Sequence, residues 1–230
     1  MRDIYVSDQY AELNPSWHEG DSPWKARQIG DMIARHNITF DTACEIGCGT
    51  GEILLNLSRR FPQAHFDGWE IAPHAYLRAQ QKETNSVRFH LGDALAEKKD
   101  VHDVVIIADV IEHVENYIGF ISGIKPLGRY KIFHIPLDLS VQSVLRGTPI
   151  ENLRRTVGHL HYFTKDTALA TIRDCGYKVV DHCYTASRLE LPDQAWSSRV
   201  MAVPRKLLFS LSQDWTVRVL GGYSLLVLAE

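Results

Sequence analysis

The chain has 230 residues, of which 45% are hydrophobic and 23% are charged, as expected for one globular domain with a substantial core. Twenty-five basic and twenty-eight acidic residues leave a net charge of −3. This balance excludes the strong overall positive charge that captures nucleic acid or an anionic membrane, so we expect neither as a partner; a local basic patch and a homodimer are left open.

The beginning of the sequence and its cysteines indicate an intracellular setting. Residues 1–24 contain no apolar stretch of signal-peptide type, and no apolar run reaches the roughly eighteen residues of a spanning helix. The four cysteines lack C-x-x-C spacing, which predicts reduced thiols packed as small hydrophobic side chains. We therefore expect a cytoplasmic protein.

Residues 1–23 are polar and aromatic and contain several helix breakers, which predicts an N-terminal arm or lid. Trp17, His18 and Trp24 lie in or next to it. These side chains suit a lid over a ligand, and they suit equally well a staple that holds the arm to the core. Residues 24–36 then place apolar side chains on one helical face.

From residue 41 onwards, strands and helices alternate. The predicted elements are strands over 41–47, 64–71, 86–93, 101–109, 130–137, 177–185 and 223–230, and helices over 52–60, 73–83 and 165–175. The run VVIIA has no polar alternation, as is typical of a central parallel strand covered on both faces. The pattern predicts a doubly wound α/β sheet.

One domain is expected, with residues 24–135 as the cofactor-binding half and 136–230 as the substrate side. The second half carries two insertions, at 136–163 and 187–222, and a connection as long as the first usually has a function or a helix of its own. Leu207, Leu211 and Trp215 recur at helical intervals near the second insertion's end. We favour a buried or dimer-facing helix there over one lying on a membrane surface.

The stretch CEIGCGTGEILL places Gly47, Gly49 and Gly51 between the first predicted strand and its helix, where open α/β sheets bind ligands. A dinucleotide fingerprint would have its third glycine at position 52, where Glu52 stands. A carboxylate in the first helical turn repels a pyrophosphate. The favoured ligand is therefore not anionic here, and Glu45 offers a carboxylate to an ammonium group.

The motif EIGCGTG matches the pattern acidic-x-G-x-G-x-G and resembles that of the class I S-adenosylmethionine-dependent methyltransferases. The resemblance covers about residues 24–186 and the last strand. It implies S-adenosyl-L-methionine as cofactor and S-adenosyl-L-homocysteine as product. It also implies a mostly parallel, seven-stranded Rossmann-like sheet with an antiparallel last strand and helices on both faces.

By the same resemblance, Glu70 holds the ribose hydroxyls at the end of the second strand, with Ile71 beside it. Asp93 and Ala94, after the third strand, would contact the adenine, and Asp109 would lie near the sulfonium. The segment KPLG takes the place of the family's K-P-G-G, so Leu127 puts only the turn geometry in question.

Asp109, Glu112 and His113 are spaced to share one face if a helix begins after the fourth strand. The segment DVIEHV resembles the EVIEHV of ubiquinone-pathway O-methyltransferases, whose acidic and His positions are associated with a divalent metal. Because the same letters also cap and pack helices, we assign no metal ligand. We keep His113 as a candidate general base or acceptor-orienting residue.

His159 and His161, in GHLHYFT, are the second candidates for the base, since an extended segment would point both in one direction. A structural role in anchoring the following helix is an equal alternative.

The expected activity is transfer of a methyl group from S-adenosylmethionine to an oxygen or nitrogen of a small polar molecule, such as a sugar or a secondary metabolite. Two alternatives remain. One is an NAD-dependent oxidoreductase, which Glu52 argues against, and the other is a non-catalytic family member that binds the cofactor.

Overall fold

A computed structural model describes residues 14–17, 19–97, 100–186 and 202–230 of the chain. Its centre is a seven-stranded sheet with the order β3-β2-β1-β4-β5-β7-β6. The strands are β1 (Thr42–Ile46), β2 (His65–Glu70), β3 (Val87–Leu91), β4 (His102–Ala108), β5 (Gly128–Pro136), β6 (Val179–Thr185) and β7 (Ser224–Ala229). Only β7 pairs antiparallel to its neighbours, β5 and β6. The sheet expected from the sequence is confirmed.

Ten α-helices occur in the described residues, together with three short 3₁₀ turns. The helices are α1 (Ser22–Arg35), α2 (Glu52–Arg60), α3 (Pro73–Gln80), α4 (Ala94–Glu97), α5 (Tyr117–Gly123), α6 (Val141–Arg146), α7 (Thr148–Thr156), α8 (Lys165–Asp174), α9 (Ala202–Leu211) and α10 (Gln213–Leu220). The 3₁₀ turns are Glu19–Asp21, Ile111–His113 and Lys125–Leu127. The last of these shows that KPLG forms a turn with Leu127 buried.

Strand β4 shows why the sheet is covered on both faces. Val104 and Ile106 belong to the core cluster that also contains Ile29 of α1 and Leu54 of α2. Val105 and Ile107 belong to the opposite cluster, with Phe133, Ile121 and Ile172. Because neighbouring residues of a strand face opposite sides, a strand buried twice has no polar alternation.

Three local expectations are corrected. After β4 the chain forms a single 3₁₀ turn in place of a helix, and Asp109 has a left-handed φ of 55°. Residues 205–220 form two helices separated at Ser212. The apolar stripe of α9 is exposed, with Leu211 at 81% exposure, so the buried location is wrong and the dimer-facing one stays a prediction. The first insertion does carry helices, α6 and α7.

The N-terminal region is described from residue 14, apart from His18. The Asn14 side chain donates to the Thr156 carbonyl of α7 at 3.0 Å, and Arg78 of α3 donates to the Pro15 carbonyl at 2.8 Å. Trp24 is buried in α1, its ring edge-on to His134 at 5.9 Å, whereas Trp17 lines the cavity described below. The calls on residues 1–13, His18 and 187–201 lie outside the described residues.

All four cysteines are free, and Cys44 and Cys48 are buried. No helix among the described residues has the length and apolar character needed to cross a membrane.

Candidate functional site

A cavity of about 1430 Å³ opens along the carboxyl ends of β1 to β5. Most of the residues predicted from the sequence line it: Glu45, Gly47, Gly49, Glu70, Ile71, Asp93, Ala94, Asp109, His113 and His159. Gly51 and His161 are absent from the lining. The parallel strands explain the convergence, because the chain leaves each of them at the same edge of the sheet.

The glycine run forms a tight turn between β1 and α2. Gly47, Gly49 and Gly51 have φ values of 76°, 55° and 82°, in the left-handed region that L side chains rarely adopt. A side chain at Gly51 would collide with the Phe89 ring, whereas one at Gly49 would meet no atom within 4 Å. Gly51 therefore serves the packing of α2 on the sheet, and Gly49 exposes the backbone to the cavity.

Glu70 links the end of β2 to this turn. One carboxylate oxygen accepts from the Gly49 N–H and the other from the Ala72 N–H, both at 2.8 Å. Burial raises the pKa of Glu70, and these backbone hydrogen bonds act against that rise. The carboxylate is held by the backbone in one orientation, at the position where the resemblance puts the ribose.

The neighbouring residues form an aromatic and acidic rim. The Trp69 indole stacks on the His90 ring, with centroids 4.7 Å apart. Asp93 accepts from the Leu95 N–H at 3.0 Å, and Ala94 is buried at the start of α4. Trp69, Ile71, Asp93 and Ala94 line the part of the cavity between β2 and β3.

The cavity floor between β1 and β4 contains a buried charge network. The Lys25 ammonium lies 2.6 Å from one Asp109 oxygen, and His134 Nδ1 lies 2.7 Å from the other. Burial alone would raise the pKa of Asp109, but the Lys25 charge and the His134 contact outweigh it and hold that pKa well below its usual value. His134 also hydrogen-bonds to Thr185 at 2.9 Å. Asp109 is therefore already engaged by side chains of the protein.

Glu45, on β1, is in the opposite situation. It is 1% exposed, and its Oε2 atom has no hydrogen-bond partner among the described residues. Burial raises the pKa of Glu45 well above its usual value; Lys25 lowers it, and Glu70 and Asp109 add to the rise. This carboxyl group can receive a cation or a hydrogen-bond donor in the cavity.

Glu112, His113 and His159 form a compact cluster at the far end of the cavity. Each offers one ligand atom, and these atoms all lie within 4.8 Å of one another. His113 Nδ1 lies 3.2 Å from the Gly158 carbonyl, and His159 Nδ1 lies 2.7 Å from Asp138 Oδ2. A ring with its Nδ1–H donated in this way presents an unprotonated Nε2 to other groups.

The Glu112 carboxyl group lies beneath these two rings. It is fully buried, and neither oxygen has a hydrogen-bond partner among the described residues; the nearest ring nitrogen, His113 Nε2, is 3.8 Å away. Burial and the nearby Asp109 raise the pKa of Glu112 well above its usual value. A buried carboxyl group without partners costs free energy in the unliganded protein, so a ligand that supplies one is favoured.

His161 lies away from this cluster, since its Nε2 is 2.9 Å from the Val114 carbonyl and its ring packs on Tyr117. Lys25, His134 and Asp138 are site residues that the sequence analysis missed. The one available signal was His134, a polar residue inside the apolar run of β5. The local sequence around Lys25 and Asp138 carries no corresponding signal.

Glu52 requires a revised interpretation. Its carboxylate lies 2.7 Å from the Lys82 ammonium, which also contacts Glu19. The charge at the start of α2 is therefore compensated, and the repulsion expected against a pyrophosphate is weaker than the sequence implied.

Comparison with known proteins bears on the same region. Residues 44–127 match a family described as "Methyltransferase domain". No curated protein sequence matches significantly.

Solved structures share the fold at low sequence identity. One is the magnesium protoporphyrin IX methyltransferase of Synechocystis, solved with bound SAH: 19% identity, TM-score 0.64, covering 99% of this chain and 96% of that one. Another is a plantazolicin methyltransferase in complex with SAH: 15% identity, TM-score 0.64, covering 100% and 93%. The [4+2]-cyclase SpnF also shares it: 13% identity, TM-score 0.58, covering 88% and 79%.

The matched segment contains the glycine turn, Glu70, Asp93 and the 3₁₀ turn after β4, which together form one side of the cavity. Residues 44–127 therefore match a methyltransferase domain, and the whole chain shares the fold of solved methyltransferases with bound SAH, which supports an S-adenosylmethionine-dependent methyltransferase.

Proposed function

We propose that this enzyme transfers a methyl group from S-adenosylmethionine to an oxygen of a small polar molecule. The observation that supports the proposal most directly is the position of Glu70. Its carboxylate is tied to the Gly49 N–H in a turn whose glycines are left-handed, and both residues line the cavity. This arrangement suits a ribose whose two hydroxyls donate to one carboxylate.

The cofactor would extend from the rim to the floor. Its adenine would lie beside Asp93, Ala94 and Ile71, and its ribose on Glu70. Its methionine part carries an ammonium group and a sulfonium. Within the described part of the chain, the buried Glu45 Oε2 atom has no hydrogen-bond partner, and a cation there would compensate the carboxyl groups of the floor. We therefore place the ammonium group near Glu45, with the sulfonium directed towards Asp109.

His159 is the residue we propose to take the acceptor's proton. Its Nδ1 faces Asp138, so its Nε2 is free to accept a proton from an acceptor hydroxyl. The acceptor oxygen attacks the methyl carbon, the carbon–sulfur bond breaks with its electrons going to sulfur, and S-adenosylhomocysteine leaves. The enzyme contributes mainly the alignment of the two reactants and the site for the proton. His113 would orient the acceptor, and His161 has no part because it lies away from the cavity.

The same cluster also fits a divalent metal ion. Glu112 supplies a buried carboxylate whose oxygens have no hydrogen-bond partner among the described residues, and His113 and His159 each supply one ring nitrogen, in rings held by contacts at Nδ1. Two imidazoles and one carboxylate form a common ligand set for divalent transition metals. When bound, such an ion would lower the pKa of a coordinated acceptor hydroxyl. The structure thus favours a metal more than the sequence did.

One experiment separates the two roles of the cluster. Purified full-length protein, stripped with chelator, is titrated with Co²⁺ and followed by its visible absorption, alongside His159→Ala, Glu112→Gln and the matched control His161→Ala. If the cluster binds metal, the wild type and His161→Ala should show a Co²⁺ absorption spectrum that saturates. His159→Ala and Glu112→Gln should lose this spectrum. Without any spectrum the metal is excluded, and His159 is left as the base.

The substrate class rests on the cavity. About 1430 Å³ has room for the cofactor and for an acceptor of modest size, and polar residues of α6 and α7, including Gln142, Ser143 and Asn152, line the outer part. These groups suit a hydroxyl-rich acceptor such as a sugar or a polar secondary metabolite. Neighbours on this fold are named for porphyrin and plantazolicin methylation, so the fold itself selects no acceptor.

The test of the cofactor assignment is calorimetric titration of the full-length protein with S-adenosylhomocysteine. We expect saturable binding, with NADH giving none. A lack of binding at about millimolar ligand would overturn the proposal, because the binding free energy would then be weaker than about −4 kcal/mol. If the cofactor binds but no compound of a panel of sugars and other polyols is methylated, a non-methylating activity, of the kind named for the cyclase SpnF, is favoured instead.

A further inference from the structure

The helices beside the outer part of the cavity carry an exposed apolar stripe. Val203, Leu207 and Leu211 recur every four residues along α9, so they share one helical face. Their exposed fractions are 65%, 63% and 81%, and Trp215 of α10 is 71% exposed. The opposite side of α9 is fixed to the protein, since Arg205 donates to the Leu220 carbonyl and Phe209 stacks on Tyr223.

The stripe continues towards the first insertion. Helix α6 exposes Val141, Val144 and Leu145, the last at 82%, and it packs against α10. We call α6, α7, α9 and α10 together the outer surface. Arg146, Arg205 and Leu220 of this surface also line the cavity, so the helices that carry the stripe border the cavity, with the stripe on the face of α9 opposite Arg205.

The outer surface is also rich in basic residues. Residues 141–156 and 202–220 contain six basic and two acidic residues, a net charge of +4 in a chain of net charge −3. Arg146, Arg154, Arg155 and Lys206 are exposed and form no ion pair with another described residue. Unpaired positive charge and exposed apolar side chains therefore occur on the same group of helices.

We propose that the outer surface binds an anionic lipid membrane from one side, with the α9 stripe and Trp215 in the headgroup region. Exposed leucines and a tryptophan gain hydrocarbon contact there, and unpaired arginines and lysines meet anionic headgroups. The acceptor opening would then lie close to the lipid surface. This inference does not depend on the proposed cofactor pose or on the metal.

Other occupants fit the same observations less well. A symmetric dimer through this surface would place one net charge of +4 against another, since a two-fold interface brings the same patch together. Nucleic acid would satisfy the cations, but the stripe of aliphatic side chains offers nothing to phosphates or sugars. An anionic membrane satisfies both the charge and the apolar stripe.

The test is flotation of the full-length protein with phosphatidylcholine vesicles made with and without phosphatidylserine. We expect binding only with phosphatidylserine, reduced by salt. The double variant Leu207→Glu, Leu211→Glu should lower partitioning at least about tenfold. Lys206→Gln should lower it about fivefold, the effect of one cation near the surface.

Matched controls make the result specific. Leu77→Glu on α3 and Arg173→Gln on α8 change an exposed leucine and an exposed arginine elsewhere, and both should float like the wild type. Titration with S-adenosylhomocysteine reports whether each variant is folded. The proposal is overturned if the wild type does not float, if the controls lose binding equally, or if light scattering shows a dimer that the leucine double variant dissociates.

Discussion

The rim and the floor of the cavity treat their carboxylates differently. At the rim, Glu70 receives two backbone N–H groups and Asp93 receives one. At the floor, Asp109 takes the Lys25 ammonium, and Glu45 and Glu112 keep buried oxygens without hydrogen-bond partners among the described residues. Both regions contain buried and half-buried acidic residues, so composition does not distinguish them.

This difference indicates which ligand groups each region can bind. The rim is preorganised, because its acceptors are oriented by the backbone before any ligand arrives, and it suits neutral donors such as ribose hydroxyls and an adenine amino group. Burial raises the pKa values of Glu45 and Glu112, and neighbouring carboxyl groups, more numerous than Lys25 can compensate, add to the rise. The floor therefore suits cations, as provided by a sulfonium, an ammonium group or a metal ion.

The largest expected effect comes from removing the compensation that the floor already has. Lys25→Met leaves Asp109, whose side chain is 27% exposed, without its lysine partner, which should lower the free energy of unfolding by about 3 kcal/mol. Urea denaturation measures this. Lys178→Met is the control, because Lys178 is exposed and its contact with Glu230 is 4.0 Å, so a change of about 1 kcal/mol or less is expected.

A second variant sharpens this prediction. Adding Asp109→Asn to Lys25→Met removes the uncompensated charge, and we expect part of the lost stability to return. If Lys25→Met is as stable as the wild type, the His134 contact alone is enough for Asp109, and the charge imbalance of the floor is not what we describe.

A smaller effect is expected at the rim and in a different measurement. Glu70→Ala should weaken S-adenosylhomocysteine binding by about 1–3 kcal/mol, because the ribose loses charge-assisted hydrogen bonds and the Gly49 N–H loses its acceptor. Calorimetry measures this against Glu52→Ala, whose carboxylate pairs with Lys82 outside the cavity lining. Equal affinities in the two variants would remove Glu70 from the cofactor site.

The smallest effect is a pH dependence of stability. Because the folded-state pKa of Glu112 is raised above 4.5, the folded protein keeps a proton that the unfolded chain releases, so this group's contribution to stability falls as pH rises above 4.5. Glu45 acts in the same direction. Between pH 5 and pH 8 the midpoint temperature of thermal unfolding should therefore fall less steeply with pH in Glu112→Gln than in the wild type.

The opposite sign at the acid end provides an internal check. Asp67 contacts His102 and His90, and these hydrogen bonds lower its pKa to about 2. The contribution of Asp67 to stability is fully present above its usual pKa of 3.8 and is lost as the pH falls towards 2. Asp67→Asn should thus flatten the acid side and leave the alkaline side unchanged. A Glu112→Gln variant with the wild-type alkaline slope would contradict the account of the floor.

Much of the rim could be predicted from the sequence. Apolar runs and breakers placed the strands to within about two residues, and α2 was expected at 52–60 and is found at Glu52–Arg60. The glycine turn and Glu70 follow from short motifs, because the residues that form them are close in sequence or end neighbouring parallel strands. Left-handed backbone and strand ends are local properties, which a sequence pattern expresses directly.

The floor and the acceptor end were decided by tertiary structure. Lys25 contacts Asp109 although the two residues are 84 positions apart in the sequence. Asp138 holds the His159 ring at the cavity, whereas the nearby His161 ring contacts the Val114 carbonyl. The stripe of α9 has the same helical period whether it is buried or exposed. The sequence determined the fold, the glycine turn and the class of cofactor. Long-range packing alone decides which ionisable side chains meet and which apolar faces stay uncovered, because neither depends on local spacing.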